Sequence, residues 1–313
     1  MSKRRRGGRG EQPMVPDAEF TSYYGKPIIN PPVWAVPDIP GYLFLGGLAG
    51  MSSVLAAGAQ LTRRPVLAKS AKLAAVGGGA LSVAALVHDL GRPLRFLNML
   101  RVFKVTSPMS VGSWLLSGYV PVAGAAAVSA VTGRAPRIGA LATAGAATVG
   151  PAIAAYTATL LSDTAVPAWH EGFREMPFLF VGSGASAAGG LGLLAGPVTE
   201  SGPARNLALI GVCAELLALR RMRDRIGMVA QAYDTGKARK YLRASEVLSV
   251  LGAIGAVVGR RNRIVAAASG AALVAASATT RWGVFHAGMI SAEDPKYTVV
   301  PQRQRLRNRS EAR

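Results

Sequence analysis

Residues 39–61 read IPGYLFLGGLAGMSSVLAAGAQL and carry no charged side chain. Crossing the hydrocarbon core of a bilayer takes about 20 mostly apolar residues, so this stretch is long enough to span. Seven further runs of the same kind follow, at roughly 70–90, 109–131, 138–162, 176–198, 204–222, 245–260 and 264–281 by hydropathy. Only Arg260, Arg261, Asn262 and Arg263 separate the last two. Reading those two as one interrupted helix would leave three arginines in lipid, which is costly, so a tight helical hairpin is the natural reading. The expected fold is an all-α integral membrane protein of eight transmembrane helices. The spans are rich in small residues, with Gly46/Gly50 and Gly192/Gly196 as small-xxx-small steps. Small residues let helix backbones approach closely where no hydrophobic force draws helices together.

The composition agrees with this reading and excludes others. Across 313 residues, 36 Lys and Arg face 16 Asp and Glu, a formal charge of +20, yet half the chain is hydrophobic. A soluble chain so basic would read as a nucleic-acid binder, but no binding motif or interleaved aromatics accompany the charge, so no nucleic-acid partner is expected. Disorder needs low hydrophobicity beside net charge. The single cysteine, Cys213, excludes an intrachain disulfide framework and a cysteine-held cluster. Lys3 to Arg6 look like a basic signal region, but Gly7 to Pro16 follow without an apolar core, so no cleaved leader is expected.

With eight spans, both ends of the chain share one side with the loops between spans 2–3, 4–5 and 6–7. That side holds more than two-thirds of the 36 cations. The positive-inside rule then places both termini in the cytoplasm of a bacterial cell. The expected organisation is a basic arm and pre-helix segment (1–36), a four-helix unit (37–175) with an interfacial loop at 91–107, a second unit (176–281) with an interfacial loop at 223–243, and a basic tail (282–313). The two loops echo each other: His88-Asp89-Leu90-Gly91-Arg92-Pro93-Leu94-Arg95-Phe96-Leu97 and Tyr233-Asp234-Thr235-Gly236-Lys237-Ala238-Arg239-Lys240-Tyr241-Leu242. Either the chain holds two parallel four-helix units, or two amphipathic interfacial stretches have converged on similar residues.

The chemistry is bounded by what is scarce. Haem in a membrane bundle needs imidazoles inside the helices, whereas His88 reads as a helix end, His170 as loop and His286 as tail. All three fall on one face with Asp89, Asp163, Glu171 and Glu175. The neighbours His88-Asp89 and His170-Glu171 suit proton uptake, because a neutral imidazole accepts a proton and a carboxylate stabilises the imidazolium; the plainer alternative is helix capping and pairing with arginines. Tyr156, upstream of Asp163 on the fourth span, can donate its hydroxyl to a bound carbonyl. No ligand-spacing motif supports a metal site. Glu215 lies inside the sixth span, either on a proton path or paired with Arg220; Glu246 opens the seventh. Cys213 reads as an inert packing residue.

The motifs Tyr24-Gly25-Lys26-Pro27-Ile28-Ile29, Pro32-Val33-Trp34, Gly46-Gly47-Leu48-Ala49-Gly50, His88-Asp89-Leu90-Gly91-Arg92-Pro93 with Arg95-Phe96, Thr106-Ser107-Pro108-Met109-Ser110-Val111-Gly112-Ser113-Trp114, Tyr156-Thr157-Ala158-Thr159-Leu160-Leu161, Pro167-Ala168-Trp169 and Asp294-Pro295-Lys296-Tyr297 together resemble the NrfD-like family, the membrane subunits of polysulfide-reductase-type complexes. The resemblance covers nearly the whole chain, and Asp-Leu-Gly-Arg-Pro and Ser-Pro-Met-Ser are its most specific parts. It implies a cofactor-free subunit that docks a ferredoxin-like iron–sulfur subunit, which contacts a molybdopterin catalytic subunit. It also implies an exchangeable quinone, such as menaquinone, as ligand. In the family a tyrosine of the fourth-span Tyr-Thr motif is associated with quinone; Tyr156 holds that place, and the quinone head group is expected to bind near Tyr156, His88 and Asp89, the last two at the Asp-Leu-Gly motif. Proton transfer is expected at Asp163, His170, Glu171, Glu215 and Glu246, and partner docking at Arg92, Arg95, Arg101 and Lys104. The cytoplasmic face suggests a formate-dehydrogenase-type partner. Two other classes stay open on the residues alone: a purely structural anchor, and a transporter acting by itself. A reporter active only in the cytoplasm, fused after Arg313, is expected to be active; activity confined to an externally active reporter would overturn the orientation.

Overall fold

A computed structural model describes residues 28–90, 92 and 94–311; positions 91 and 93, the two terminal segments and the side chains of Arg309 and Glu311 lie outside the description. Tyr24 to Pro27 of the first motif and most of the basic arm therefore fall outside it. The described chain is helical. Eight helices are long and apolar enough to cross a membrane: α1 (Asp38–Leu61), α2 (Pro65–Asp89), α4 (Pro108–Thr132), α5 (Pro136–Ser162), α7 (Met176–Ala195), α8 (Gly202–Arg225), α9 (Gly236–Val258) and α10 (Arg263–Glu293). Between them lie two five-residue helices, α3 (Arg95–Met99) and α6 (Pro167–Glu171), and a 3-10 turn at Gly227–Ala232; α11 (Lys296–Glu311) follows the last span. We call the face where α1 begins the near face. It carries the starts of α1, α4, α7 and α9 and the ends of α2, α5, α8 and α10.

Local chemistry sets the helix ends. Pro65, Pro108 and Pro136 open α2, α4 and α5, where the missing N–H costs nothing and the fixed φ suits the first turn. Ser107 caps α4 through its side chain, and Asn262 caps α10 by accepting from Ile264 and Val265. Gly133, at φ 70°, closes α4 in the left-handed region. Two helices overrun their expected bounds. The seventh span starts nine residues early, at Gly236 rather than 245, because its basic first turns remain helical outside the apolar zone. The eighth continues to Glu293 rather than stopping at 281, because Arg281 is fully buried within it. Residues 282–293 are thus helix and not tail, and His286 sits on α10 stacked against Tyr241.

The spans close into two rings. In one, α1 packs on α2 and α5, and α4 on α5, with a lighter α2–α4 junction; in the other, α7 packs on α8 and α10, and α9 on α10, with a sparse α8–α9 junction. The rings meet mainly where α1 and α5 lie against α7. The short sequence echo nevertheless falls on different structures. Arg95 to Leu97 lie in α3, detached from any span, whereas Tyr241 and Leu242 lie within α9.

Glycine pairs join the helices at the centre. A Cβ at Gly50 would overlap the Gly150 carbonyl, joining α1 to α5. A Cβ at Gly184 would lie 2.8 Å from the Gly47 carbonyl oxygen, joining α7 to α1. Gly182 meets Gly211 between α7 and α8, and Gly190 meets Gly270 between α7 and α10. Of the two small-xxx-small steps read from sequence, Gly50 makes a backbone contact and Gly192 faces the Ala204 Cβ. Cys213 is exposed on the outer surface of α8 rather than packed. Adding a methyl at Gly50 forces the backbones apart, so Gly50→Ala is expected to destabilise the detergent-solubilised protein by about 1–3 kcal/mol. Gly58→Ala, where a Cβ meets nothing within 4 Å, should not lower the thermal midpoint and gains the helix preference of alanine over glycine; equal midpoints for both variants would overturn the contact.

Candidate functional site

A cleft of about 480 Å³ opens at the near face between the start of α4 and the end of α5. Its wall on α5 carries Tyr156, Thr159 and Asp163, spaced three and seven residues apart and therefore on one helix face. Val105, Thr106, Pro108 and Val111 form the opposite wall, and His170 and Phe173 the mouth. The volume lies within the range of about 300–1,000 Å³ usual for small-molecule sites.

Tyr156 is the buried end of this cleft. Its ring lies over Gly112, where any Cβ would overlap it, so the Met-Ser-Val-Gly turn of α4 leaves the space the ring occupies. The Tyr156 hydroxyl is hydrogen-bonded to that of Tyr42 on α1, and both residues are buried. Tyr42 carries no local signal in the sequence: its hydroxyl stands alone among apolar and small residues in the first half of its span.

His170 is aimed by α6. Trp169, fully buried, donates from Nε1 to the Val284 carbonyl at 2.8 Å and stacks on Trp34 with ring centroids 5.4 Å apart. Gly288 makes room for that indole. The Ala168 N–H donates to Ser291 at 3.1 Å, and the Tyr233 hydroxyl to the Ala168 carbonyl at 2.8 Å. Burial raises the Tyr233 pKa, keeping it a donor. His170 Nδ1 lies 3.1 Å from the Ser162 carbonyl. A carbonyl only accepts, so Nδ1 carries the proton and Nε2 of the neutral ring is left as a proton acceptor. The same histidine also lines a second cleft, of about 180 Å³, with Glu171, Tyr297 and Arg305 between α6 and α11.

The other expected residues are distributed differently. His88 bonds Asp38 at 2.8 Å rather than its neighbour Asp89, which accepts from the Ala35 N–H at 3.2 Å. Neither lines the cleft, although Asp38 lies one turn before Tyr42 on α1. Glu171 pairs with Arg305 of α11, so the His170-Glu171 neighbours do not pair either. Glu215 does not meet Arg220, which is exposed. It turns inward, 2% exposed, and accepts from Thr280 at 2.5 Å and Ser186 at 3.4 Å. Arg281 lies within electrostatic reach, held by the carbonyls of Phe180 at 2.8 Å and Leu43 at 3.3 Å, with its guanidinium 3.8 Å over the Phe180 ring. Glu246 pairs with Arg223 at 2.9 Å on the outer side of the second ring. The cleft thus brings together Tyr156, Asp163 and His170, with Glu171 next along the chain, and leaves His88, Asp89, Glu215 and Glu246 apart from it.

Arg92, Arg95, Arg101 and Lys104 are all exposed at the near face. The Lys104 N–H donates to Ser110 at 3.0 Å, Ser110 donates to the Val102 carbonyl at 3.0 Å, and Phe103 meets Trp114 edge-on. These contacts fasten the basic loop to the first turns of α4, beside the cleft mouth.

Eight spans, a near-face cleft with apolar walls and a few polar groups, and an adjoining basic loop describe a membrane-embedded helical subunit with a site at one interface. The family model described as "Polysulphide reductase, NrfD" matches residues 28–208, from the approach to α1 into α8. The chain belongs to the NrfD family, whose members are membrane subunits of oxidoreductase complexes and generally partner with iron–sulfur and molybdopterin subunits. None of the curated proteins compared with it matches.

Glu175, before α7, holds α8 to α6. It accepts from Arg225 at 2.6 and 2.7 Å, while Arg225 also donates to the Glu171 carbonyl. The Arg225 hydrogen bonds lower the Glu175 pKa. Its stabilisation is therefore complete above the ordinary glutamate value of about 4.3 and is lost as pH falls below that through the lowered value. The thermal midpoint of the wild-type chain should fall more steeply than that of Glu175→Gln over this window; parallel profiles would remove the pair as a determinant.

Proposed function

We propose that the near-face cleft binds a quinone head group and that the chain joins the quinone pool to an iron–sulfur partner docked on the basic loop. The observation that carries this reading is the meeting of Tyr156, Asp163 and His170 around one cleft, with His170 shared with a second, outward cleft. Reducing a quinone to a quinol takes two electrons and two protons, so the site needs a route for each. Electrons come from the partner's clusters through the rim that Arg92, Arg95, Arg101 and Lys104 offer to an acidic surface.

Protons need groups that accept from water and donate to the two quinone oxygens. The Tyr156 hydroxyl, backed by Tyr42, donates a hydrogen bond to one carbonyl at the buried end and holds the head group there. His170 takes protons at Nε2 from the outward cleft, where Glu171 and Arg305 meet, and passes them by way of Asp163. The apolar walls admit the isoprenoid side of a quinone between α4 and α5. His88, with Asp38, and Asp89 hold the segment before α1 and keep Tyr42 in place. Glu215, among hydroxyls in the second ring, lies apart from this route. A near face in the cytoplasm fits a molybdopterin partner of the formate dehydrogenase type.

Tyr156→Phe and Asp163→Asn are expected to slow quinone-coupled turnover of the complex. The loss should lie between about tenfold, for a lost hydrogen bond, and about a hundredfold, for a lost proton donor, with dye-coupled turnover of the catalytic partner intact. Unchanged quinone kinetics in both variants would leave the chain a structural anchor.

A further inference from the structure

The second ring carries a groove that the quinone reading does not use. The sparse α8–α9 junction leaves a cavity of about 420 Å³, lined by Leu216, Arg220 and Arg223 from α8 and by Glu246, Val247, Val250 and Leu251 from α9. Its two walls change polarity within about one helical turn of each other. On α8, Arg220 is followed one turn inward by Leu216; on α9, Glu246 is followed one turn inward by Val250. The upper part is ionic and the lower part is aliphatic, which is the profile of an amphiphile standing in a leaflet.

The ionic level has donors to spare. Glu246 engages Arg223 only through Nη1, at 2.9 Å, and the buried Nε of Arg223 has no hydrogen-bond partner among the described residues. Arg220 is exposed and has no carboxylate partner among the described residues. Two guanidinium groups against one carboxylate leave a net positive charge at the mouth, matched to one phosphate oxygen pair. The apolar level is open: Val247, Val250 and Leu251 are 57%, 43% and 59% exposed.

We propose that this groove is a binding site for an anionic phospholipid of the near-face leaflet. The phosphate rests on Arg220 and on the free side of Arg223, and one acyl chain lies between Leu216 and the Val247, Val250 and Leu251 row. The lipid fills the weakest junction of the second ring with its own chain. Basic pockets between membrane helices favour acidic headgroups for the same electrostatic reason. A zwitterionic lipid supplies the same chain, but its own cation opposes the arginines.

The test is native mass spectrometry of the full chain in neutral detergent with equal amounts of phosphatidylglycerol and phosphatidylcholine. Wild type is expected to carry phosphatidylglycerol at least about fivefold over phosphatidylcholine. Arg220→Gln should abolish that preference, and it changes an exposed side chain, so the helical circular dichroism should not move. Val250→Trp, which fills the aliphatic part, should reduce retention of phosphatidylglycerol while both arginines remain. Excess inorganic phosphate should not displace the lipid, since it has no chain for the groove; displacement would make the site a phosphate site and overturn the proposal. Equal retention of the two lipids by wild type, or unchanged phosphatidylglycerol retention in both variants, would overturn it as well.

Discussion

Direct backbone contact between helices is the constraint on which the rest of this structure depends. Lipid tails are as apolar as the side chains facing them, so the helices gain nothing by merely hiding hydrophobic surface and must gain by close packing. Gly50 against Gly150, Gly47 against Gly184, Gly182 against Gly211 and Gly190 against Gly270 form a continuous series from α5 through α1 and α7 to α8 and α10. With α1 and α7 fixed at the centre, the two rings share one core. The near-face ends of α4 and α5, with α6 held against α10, then take up the positions that define the clefts.

That core also explains how charge survives inside the membrane. An unpaired arginine in hydrocarbon is expensive, but Arg281 meets the carbonyls of Leu43 and Phe180 and the Phe180 ring, with Glu215 nearby. Gly47 leaves the space for it: a Cβ there would lie 3.1 Å from an Arg281 nitrogen. The same glycine that lets α1 reach α7 thus makes room for a cation. Small residues serve polarity as well as packing, and Ser183, Ser277, Ser245 and Thr280 continue the hydroxyl network around Glu215.

The near-face groups follow a different logic. They sit where water is available, so they are positioned by fastening rather than by burial. Trp169 sets α6, α6 sets His170, and Arg225 ties α8 to both Glu175 and the α6 carbonyl end. Several acids at this face are engaged by a partner from another element. The pairings His88 with Asp38, Glu171 with Arg305 and Glu175 with Arg225 span 50 residues or more. Sequence neighbours such as His88 and Asp89 diverge by about 100° around a helix, which is why adjacency was a poor guide to pairing.

The sequence by itself determined the number of membrane helices, their order and the sharing of one face by the polar motifs. Each of those depends only on the length of apolar runs and on strict alternation across a bilayer. That Tyr156 and Asp163 share one side was legible because they lie seven residues apart, within and at the end of one helix, where spacing fixes geometry. Only the tertiary structure decided that Tyr42 backs Tyr156 and that His170 stands between two clefts. It also decided that Arg281 continues a helix rather than ending one. Hydropathy averages along the chain and scores an arginine by its charge alone, whereas the cost of that charge is set by carbonyls 101 and 238 residues away. Contacts between segments so distant are created by packing, and no local pattern in the chain encodes them.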